Sequence, residues 1–515
     1  IKSEPGITDG KTDDTKKNTY AYTTELIDAQ AAKTVGTYKS NVFVYYYDDT
    51  GTAYNVGGIT QGAWKIKQRV LTMSTEGTTS ATYGDDNIAT TVYIDNIVSE
   101  DINKLEFVLS VTGSENVTIK YGVHDWSNNG VSIALVSSDA SKSLSGSDAN
   151  FNTDTIDKNT YKLKFTVNFT NAKKYSLSVA LADNALAKNY SLNNAEKDVE
   201  VKRRELKIKG PVGGSSDNGK DEVTYNGNEH GATWTVDGIV KKPGYNDTIS
   251  SVFKYFDPQF VVRIRKDPNK DEYLAPASFD LVQNGTATVN NRTIEFGYSD
   301  TVDTIVFSKA VDAGNYYLAF TNCDDNANNK TNYYIKYEQT EDYTLNRPKS
   351  KSFTISTNML TVTWNSTTQT ETSHVYEPDK KGVLIAKVVA KEPIKTGLAE
   401  FVGKYFETSW TNLEGTAISI SAQSDNKNAT ITFTTNDNAG TYTANVKVRD
   451  RTDQDVVNCG CTNATPTNSY TIYKKTITIS FLDTGGNKIV GSTEYVYNTD
   501  VQGLKTISIS DIYSN

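Results

Sequence analysis

One short phrase, written four times, constrains this chain more than its composition does. It reads VGTYKSNVFVYY around Tyr38, AKKYSLSVAL around Tyr175, AGNYYLAF around Tyr316 and AGTYTANVKV around Tyr442, at intervals of roughly 125–140 residues. After each tyrosine, apolar and polar residues alternate with the period of a half-buried strand. Self-similarity at a near-constant interval is the mark of tandem units, each with a core of its own. Length demands the same, because single hydrophobic cores stop growing near about 250–300 residues and this chain has 515.

Two further phrases keep step with the first. IKQRVLTM (66–73), VKRRELKI (201–208), ISTNMLTV (355–362) and IYKKTITI (472–479) each place a polar step between apolar residues. A fresh alternating strand then begins at Leu71, Leu206, Leu360 or Ile477. These are joints, where the last strand of one unit hands the chain to the first strand of the next. Beyond each joint comes a tyrosine turn: Tyr83-Gly84-Asp85, Tyr225-Asn226-Gly227, Tyr376-Glu377-Pro378 and Tyr497-Asn498-Thr499. The order predicts three complete units at 69–203, 204–357 and 358–475. It also predicts the closing half of a unit at 1–68 and an opening half at 476–515.

Enrichment in Val, Ile, Thr, Tyr and Phe, with Gly, Asn and Asp as punctuation, makes each unit an all-β sandwich. Helix signals are sparse: 393–406 and 23–33 are the two candidates.

With all three phrases in place, the array resembles the bacterial immunoglobulin-like repeats of MBG type, found in large secreted and cell-surface proteins. The resemblance rests on joint strands such as VEVKRRELKIKG, the VTYNG turn that follows, and the NAGTY or DAGNY phrase. It implies a string of immunoglobulin-like β-sandwiches at the cell surface, serving as stalk, spacer or adhesive surface. The partners it implies are neighbouring copies, other cell-envelope components, or a host or surface receptor. Two departures stand out: the complete units are long for the family, and Lys173-Lys174 stands where Gly is expected.

The tyrosine phrase also has a reading of its own. In immunoglobulin-like sandwiches a tyrosine near the start of a late strand folds its hydroxyl back onto the backbone a few residues upstream. Tyr38, Tyr175, Tyr316 and Tyr442 are therefore expected to be structural corner residues, with the preceding Gly making room for the bend. Each unit needs such a lock because each folds separately.

No chemistry of catalysis is legible. The chain has no G-x-S-x-G elbow, no phosphate-cradling glycine loop and no H-E-x-x-H motif. His124, His230 and His374 fall one to each complete unit, without partners at ligand spacing, and are expected in surface or turn positions. The reading is a non-enzyme without an obligatory cofactor. Calcium is the one chemical candidate: Asp148, Asn150, Asn152 and Asp154 supply oxygen at alternate positions, as a calcium loop does, though Gly at the sixth position and Glu at the twelfth are missing. A similar Asn/Asp stretch spans 323–332. Cys459 and Cys461 would lie about 6.6 Å apart in a strand, near the outer limit for a bridge, so unpaired thiols and a strained disulfide both remain open.

Net charge is -9, and Lys and Arg are dispersed, so the basic footprint that a phosphate backbone needs is missing. No apolar run reaches the roughly 18 residues of a membrane-spanning helix. The opening IKSEPGITDG reads as a mature chain or an internal piece of a longer one. Three functions follow in order: an extracellular structural or adhesive protein, a subunit of a surface layer or filament joined through sheet edges or strand exchange, or a non-catalytic region of a secreted carbohydrate-active enzyme.

Overall fold

The computed structural model describes the chain except residues 1, 4–6, 27–33, 58–59, 123–125, 134–136, 143–158, 194, 268, 324–330, 337–338, 343–346, 365–370, 412–416, 449–457, 463–466, 491–503 and 511–515. Strands dominate; helix among the described residues is limited to Ile249–Phe253, Leu398–Tyr405 and three short 3-10 turns. The chain is all-β, built of successive immunoglobulin-like sandwiches. It divides into two compact units, one of residues 1–204 with 325–333, the other of 205–324 with 334–515. That division is coarser than the five segments the repeat predicts.

In the first unit, the N-terminal sheet centres on the strand Gly36–Tyr47, flanked by Thr19–Leu26 on one side and by Ala53–Asn55 and Thr60–Ile66 on the other. Side chains alternate between faces. One face gathers Tyr45 and Tyr47 with Ala21, Ala53 and Ile7 into a small core. The other carries Tyr20, Tyr46 and Tyr54 in one cross-strand row and Tyr38 with Trp64 in another. Nothing described covers this second face, and Tyr20 and Tyr54 are 53% and 48% exposed.

A full sandwich follows in the same unit. One sheet holds Glu106–Val111, Lys173–Leu181 and Ala195–Lys202, and the other holds Arg69–Gly77, Ala89–Val98 and Asn159–Phe169. Strict alternation turns Val92, Ile94, Leu163 and Phe165 of one sheet and Phe107, Leu109, Tyr175 and Leu177 of the other inward, all buried. The rings of Phe169 and Tyr175, 4.7 Å apart, join the layers. Each such side chain contributes roughly 1.5–3 kcal/mol by leaving water.

The second unit repeats the plan. Its first sandwich packs the strands His230–Asp237, Arg292–Ser299 and Thr304–Ala310 against Gln259–Asp267, Gly314–Ala319 and Phe353–Ser356. Phe307 sits between Phe260, Tyr316 and Phe353, with centroids 5.2–5.5 Å away. The next sandwich packs Asn358–Trp364, Val383–Ala390 and Asn428–Thr434 against Phe406–Thr411, Gly440–Val448 and Thr467–Tyr473, through Trp410 against Phe433 and Tyr442. A two-stranded hairpin, Thr478–Asp483 with Leu504–Ser510, comes last.

Strand breaks fall at 67–68, 203, 357 and 474–477. Of the two expected helices, 393–406 contains Leu398–Tyr405. Residues 23–26 instead belong to the strand Thr19–Leu26, and 27–33 lie outside the described residues. Eight consecutive pairings with Gly36–Tyr47 outweigh the local helix preference of that stretch.

Candidate functional site: corners and joints

All four phrase tyrosines make one bond. Tyr38 donates its hydroxyl to the Thr34 carbonyl (2.5 Å), Tyr175 to Asn171 (2.9 Å), Tyr316 to Asp312 (2.7 Å) and Tyr442 to Asn438 (2.7 Å), always four residues back. Tyr442 also reaches the side chain of Asn436. The loop must bend sharply for the carbonyl to meet the ring's far end, so the bond pins the turn ahead of the strand. Burial pushes the Tyr175 phenol up to about 12 and raises that of Tyr316 well above the ordinary tyrosine value. The glycine of the phrase does not adopt a left-handed backbone in any copy: Gly36, Gly314 and Gly440 are absent from the positive-φ residues. The bend therefore does not require glycine, and Lys173 occupies the same place in the second copy without strain.

The joints are built just as repetitively. In each complete sandwich a short strand before the tyrosine turn runs parallel to the final strand: Ser80–Thr82 beside Glu200–Lys202, Glu222–Thr224 beside Thr354–Ser356, Ser373–Val375 beside Thr471–Tyr473. The turn tyrosine then donates its backbone N–H to the last residue of that final strand. Tyr83 to Lys202, Tyr225 to Ser356 and Tyr376 to Tyr473 are all 2.8 Å. Glycine at Gly84 and Gly227, with φ of 80° and 78°, carries the chain round the turn in two of the three.

The carbonyl of the turn tyrosine takes a side chain from just past the strand break. In the first unit Arg204 donates Nε to Tyr83 O (2.5 Å) and pairs Nη2 with Asp85 (2.8 Å). In the second unit Asn358, fully buried, donates Nδ2 to the carbonyls of Tyr225 and Glu392 (2.9 Å each) and accepts from Lys391 N–H (2.9 Å). Lys395 N–H adds a bond to Asn226 O (2.9 Å). Residues 205–357 and 358–475 thus share a polar joint inside one compact unit. Burial also lifts the Tyr225 phenol up to about 12.

The remaining sequence candidates divide between the joints and residues outside the described ones. Asp148, Asn150, Asn152 and Asp154 lie outside the described residues, as do 324–330 of the second Asn/Asp stretch and His124. Among the described residues no cluster of His, Cys, Asp and Glu could hold a metal. His230 and His374 are buried, not surface residues. His230 engages Asp217 through Nδ1 (2.7 Å) and Asn226 through Nε2 (3.1 Å), and His374 engages the Tyr470 hydroxyl (3.1 Å), because buried polar rings need partners. Cys323, Cys459 and Cys461 are buried, and no disulfide joins them. Cys459 and Cys461 flank Gly460 in a strand paired with Asn358–Trp364, and burial pushes the Cys459 thiol up. No described helix is long and apolar enough to cross a membrane.

No protein-family model matches the chain, and no curated protein does. Among solved structures it is similar to a marsupial T cell receptor (12% identity, 77% of this chain and 99% of that one, TM-score 0.21). It is also similar to FdeC, an Escherichia coli adhesin (9% identity, 79% and 98%, TM-score 0.24). A third is invasin, a bacterial integrin-binding protein (10% identity, 81% and 63%, TM-score 0.22). Superpositions this loose carry no argument about function.

Proposed function

We propose that this is an extracellular, cell-surface structural or adhesive protein whose immunoglobulin-like sandwiches act as a stalk or fibre, in the manner of MBG-type repeats. One observation carries the reading: each sandwich is closed by its own tyrosine corner, and strands are handed from one to the next across breaks as short as the single residues 203 and 357. Direct handover at 357 leaves little slack between the two sandwiches of the second unit, and β-sandwiches resist extraction because strands distant in sequence must separate together. Reach and mechanical persistence are what such a chain supplies. Antibodies raised against it should label intact cells of the source organism; labelling only after permeabilisation would remove the cell-surface reading.

A second reading, an ordered assembly in which neighbouring copies complete one another, is favoured by two bare faces. Ile477 is 53% exposed, while Leu71, Leu206 and Leu360 at the same place in the repeat are 1%, 0% and 0% exposed. Ile479, Phe481, Ile507 and Ile509 lie open beside it, and the aromatic face of the N-terminal sheet is open likewise. Sedimentation velocity across a concentration series separates the two: growing species support assembly, whereas a persistent monomer supports the stalk.

A further inference from the structure

Three backbone amides stand at one place in the repeat, three residues before a corner tyrosine, and each is taken by an asparagine from far along the chain. Val35 N–H donates to Asn189 Oδ1 (2.9 Å), Ala172 N–H to Asn332 Oδ1 (2.8 Å) and Ala313 N–H to Asn458 Oδ1 (2.6 Å). The first two bonds lie within the first compact unit and the third within the second. In every case the asparagine immediately precedes a short strand: Tyr190–Leu192, Tyr333–Lys336 or Cys459–Cys461. That strand pairs with the opening strand of its own sandwich. For Asn189 and Asn458 the backbone is therefore anchored in one sandwich while the side chain closes the corner of the sheet before it, inside a single compact unit.

We propose that Asn458 and Asn189 are interdomain locks, which fix a corner sheet and the sandwich that follows it as a single cooperative body. The chemistry suits the task. The amide three residues before the tyrosine lies outside the strand ladder and needs an acceptor, and asparagine offers that acceptor with a donor beside it. At Asn458 the donor is used as well. Its Nδ2 meets Asp312 Oδ1 (3.0 Å), and the same carboxylate takes Arg292 Nη1 (2.5 Å) and Asn290 Nδ2 (2.8 Å). The backbone carbonyl of Asp312 is the one that holds the Tyr316 hydroxyl. Lock and corner therefore form one network, with Asn458 at 0% and Asp312 at 3% exposure. Removing the asparagine would strand a buried N–H and part of a buried carboxylate together, a more costly state than pairing both. A consequence is that the sandwiches 205–357 and 358–475 unfold together, not as quasi-independent modules.

The repeat supplies its own control. Ala439 occupies the same position before Tyr442 and is exposed. Hydrogen exchange followed by mass spectrometry on the full chain should show the Ala313 peptide protected and the Ala439 peptide exchanging fast. In Asn458→Ala the Ala313 peptide should exchange about tenfold faster or more, while peptides of the strand Val383–Ala390 keep their protection. The single melting transition of the second unit should split into two. If Asn458→Ala prevents folding of its sandwich, Asn189→Ala tests the same lock where the asparagine is only partly buried, with Val35 as the reporter. Unchanged exchange at Ala313 or Val35 would overturn the proposal, and so would a rise that merely tracks global unfolding of the strand Val383–Ala390.

Discussion

Tyr38 and Tyr316 occupy the same place in the same phrase and make the same bond, yet their surroundings differ completely. Tyr316 is wholly buried, stacked on Phe307 of the facing sheet with centroids 5.2 Å apart and planes within 8°. Tyr38 is only partly covered and stacks on Trp64, its cross-strand neighbour in the same sheet (4.9 Å). The hydroxyl nevertheless reaches the carbonyl four residues back in both, at 2.5 and 2.7 Å. The corner is thus a local device that forms wherever the turn precedes the strand, and the facing sheet determines only how much it is worth.

The widest gap should come from removing the ring. Tyr316→Ala empties a large, fully buried site and should cost its sandwich about 3–5 kcal/mol, whereas Tyr38→Ala should cost about 1 kcal/mol, the scale of a cross-strand pair and an exposed hydrogen bond. Urea titrations of each variant would measure both, and equal losses would erase the distinction. Alkali should separate the same regions. Burial raises the Tyr175 phenol from 10.0 to about 12 and also raises that of Tyr316, so their folded forms hold the proton more tightly than the unfolded chain does. The Tyr175 contribution is complete below pH 10 and is lost as pH climbs from 10 through about 12. Midpoints of urea unfolding should fall over that window, and fall less in Tyr175→Phe. Next in size is the phrase glycine. A Cβ on Gly314 would sit 2.4 Å from the Arg263 carbonyl of the paired strand, whereas one on Gly440 would touch only the Tyr442 ring at 3.9 Å. Gly314→Ala should therefore cost about 1–3 kcal/mol and Gly440→Ala under about 0.5 kcal/mol, read as a difference in Tm between the two variants.

That glycine illustrates what the amino-acid sequence can and cannot say. Tyrosine corners, joints and the all-β class were legible because they rest on short-range patterns: alternation after Tyr442, a polar step before Leu360, turn residues after Tyr225. The reason for Gly314 was not, because it depends on how near Arg263 lies, a contact between strands about fifty residues apart. The asparagine locks were hidden for the same reason. Asn189 and Asn458 are single residues in an Asn-rich chain, and only the repetition of Asn directly before Tyr190 and Cys459, downstream of a corner, could have signalled them. The burial of His230 and His374 was missed because isolated histidines carry no periodicity; Tyr470 lies 96 residues from His374, and Asp217 and Asn226, 13 and 4 residues before His230, stand at no spacing that marks a buried pair.

The smallest effect tests the comparison most closely, since it leaves the ring in place and removes only the hydroxyl. In Tyr316→Phe the Asp312 carbonyl loses a donor inside a buried corner, and an acceptor left without one in a dry site costs about 1–2 kcal/mol. In Tyr38→Phe water can replace the lost donor at the exposed Thr34 carbonyl, so the change should stay under about 0.5 kcal/mol. If the corner bond itself closed each unit, both substitutions would weaken their sheets alike. A double-mutant cycle of Tyr316→Phe with Asn458→Ala sharpens the point further. Both side chains bind Asp312, one at its carbonyl and one at its carboxylate, so their losses should be non-additive by at least about 0.5 kcal/mol. Strict additivity would mean that the corner and the joint, though neighbours in space, stabilise the fold separately.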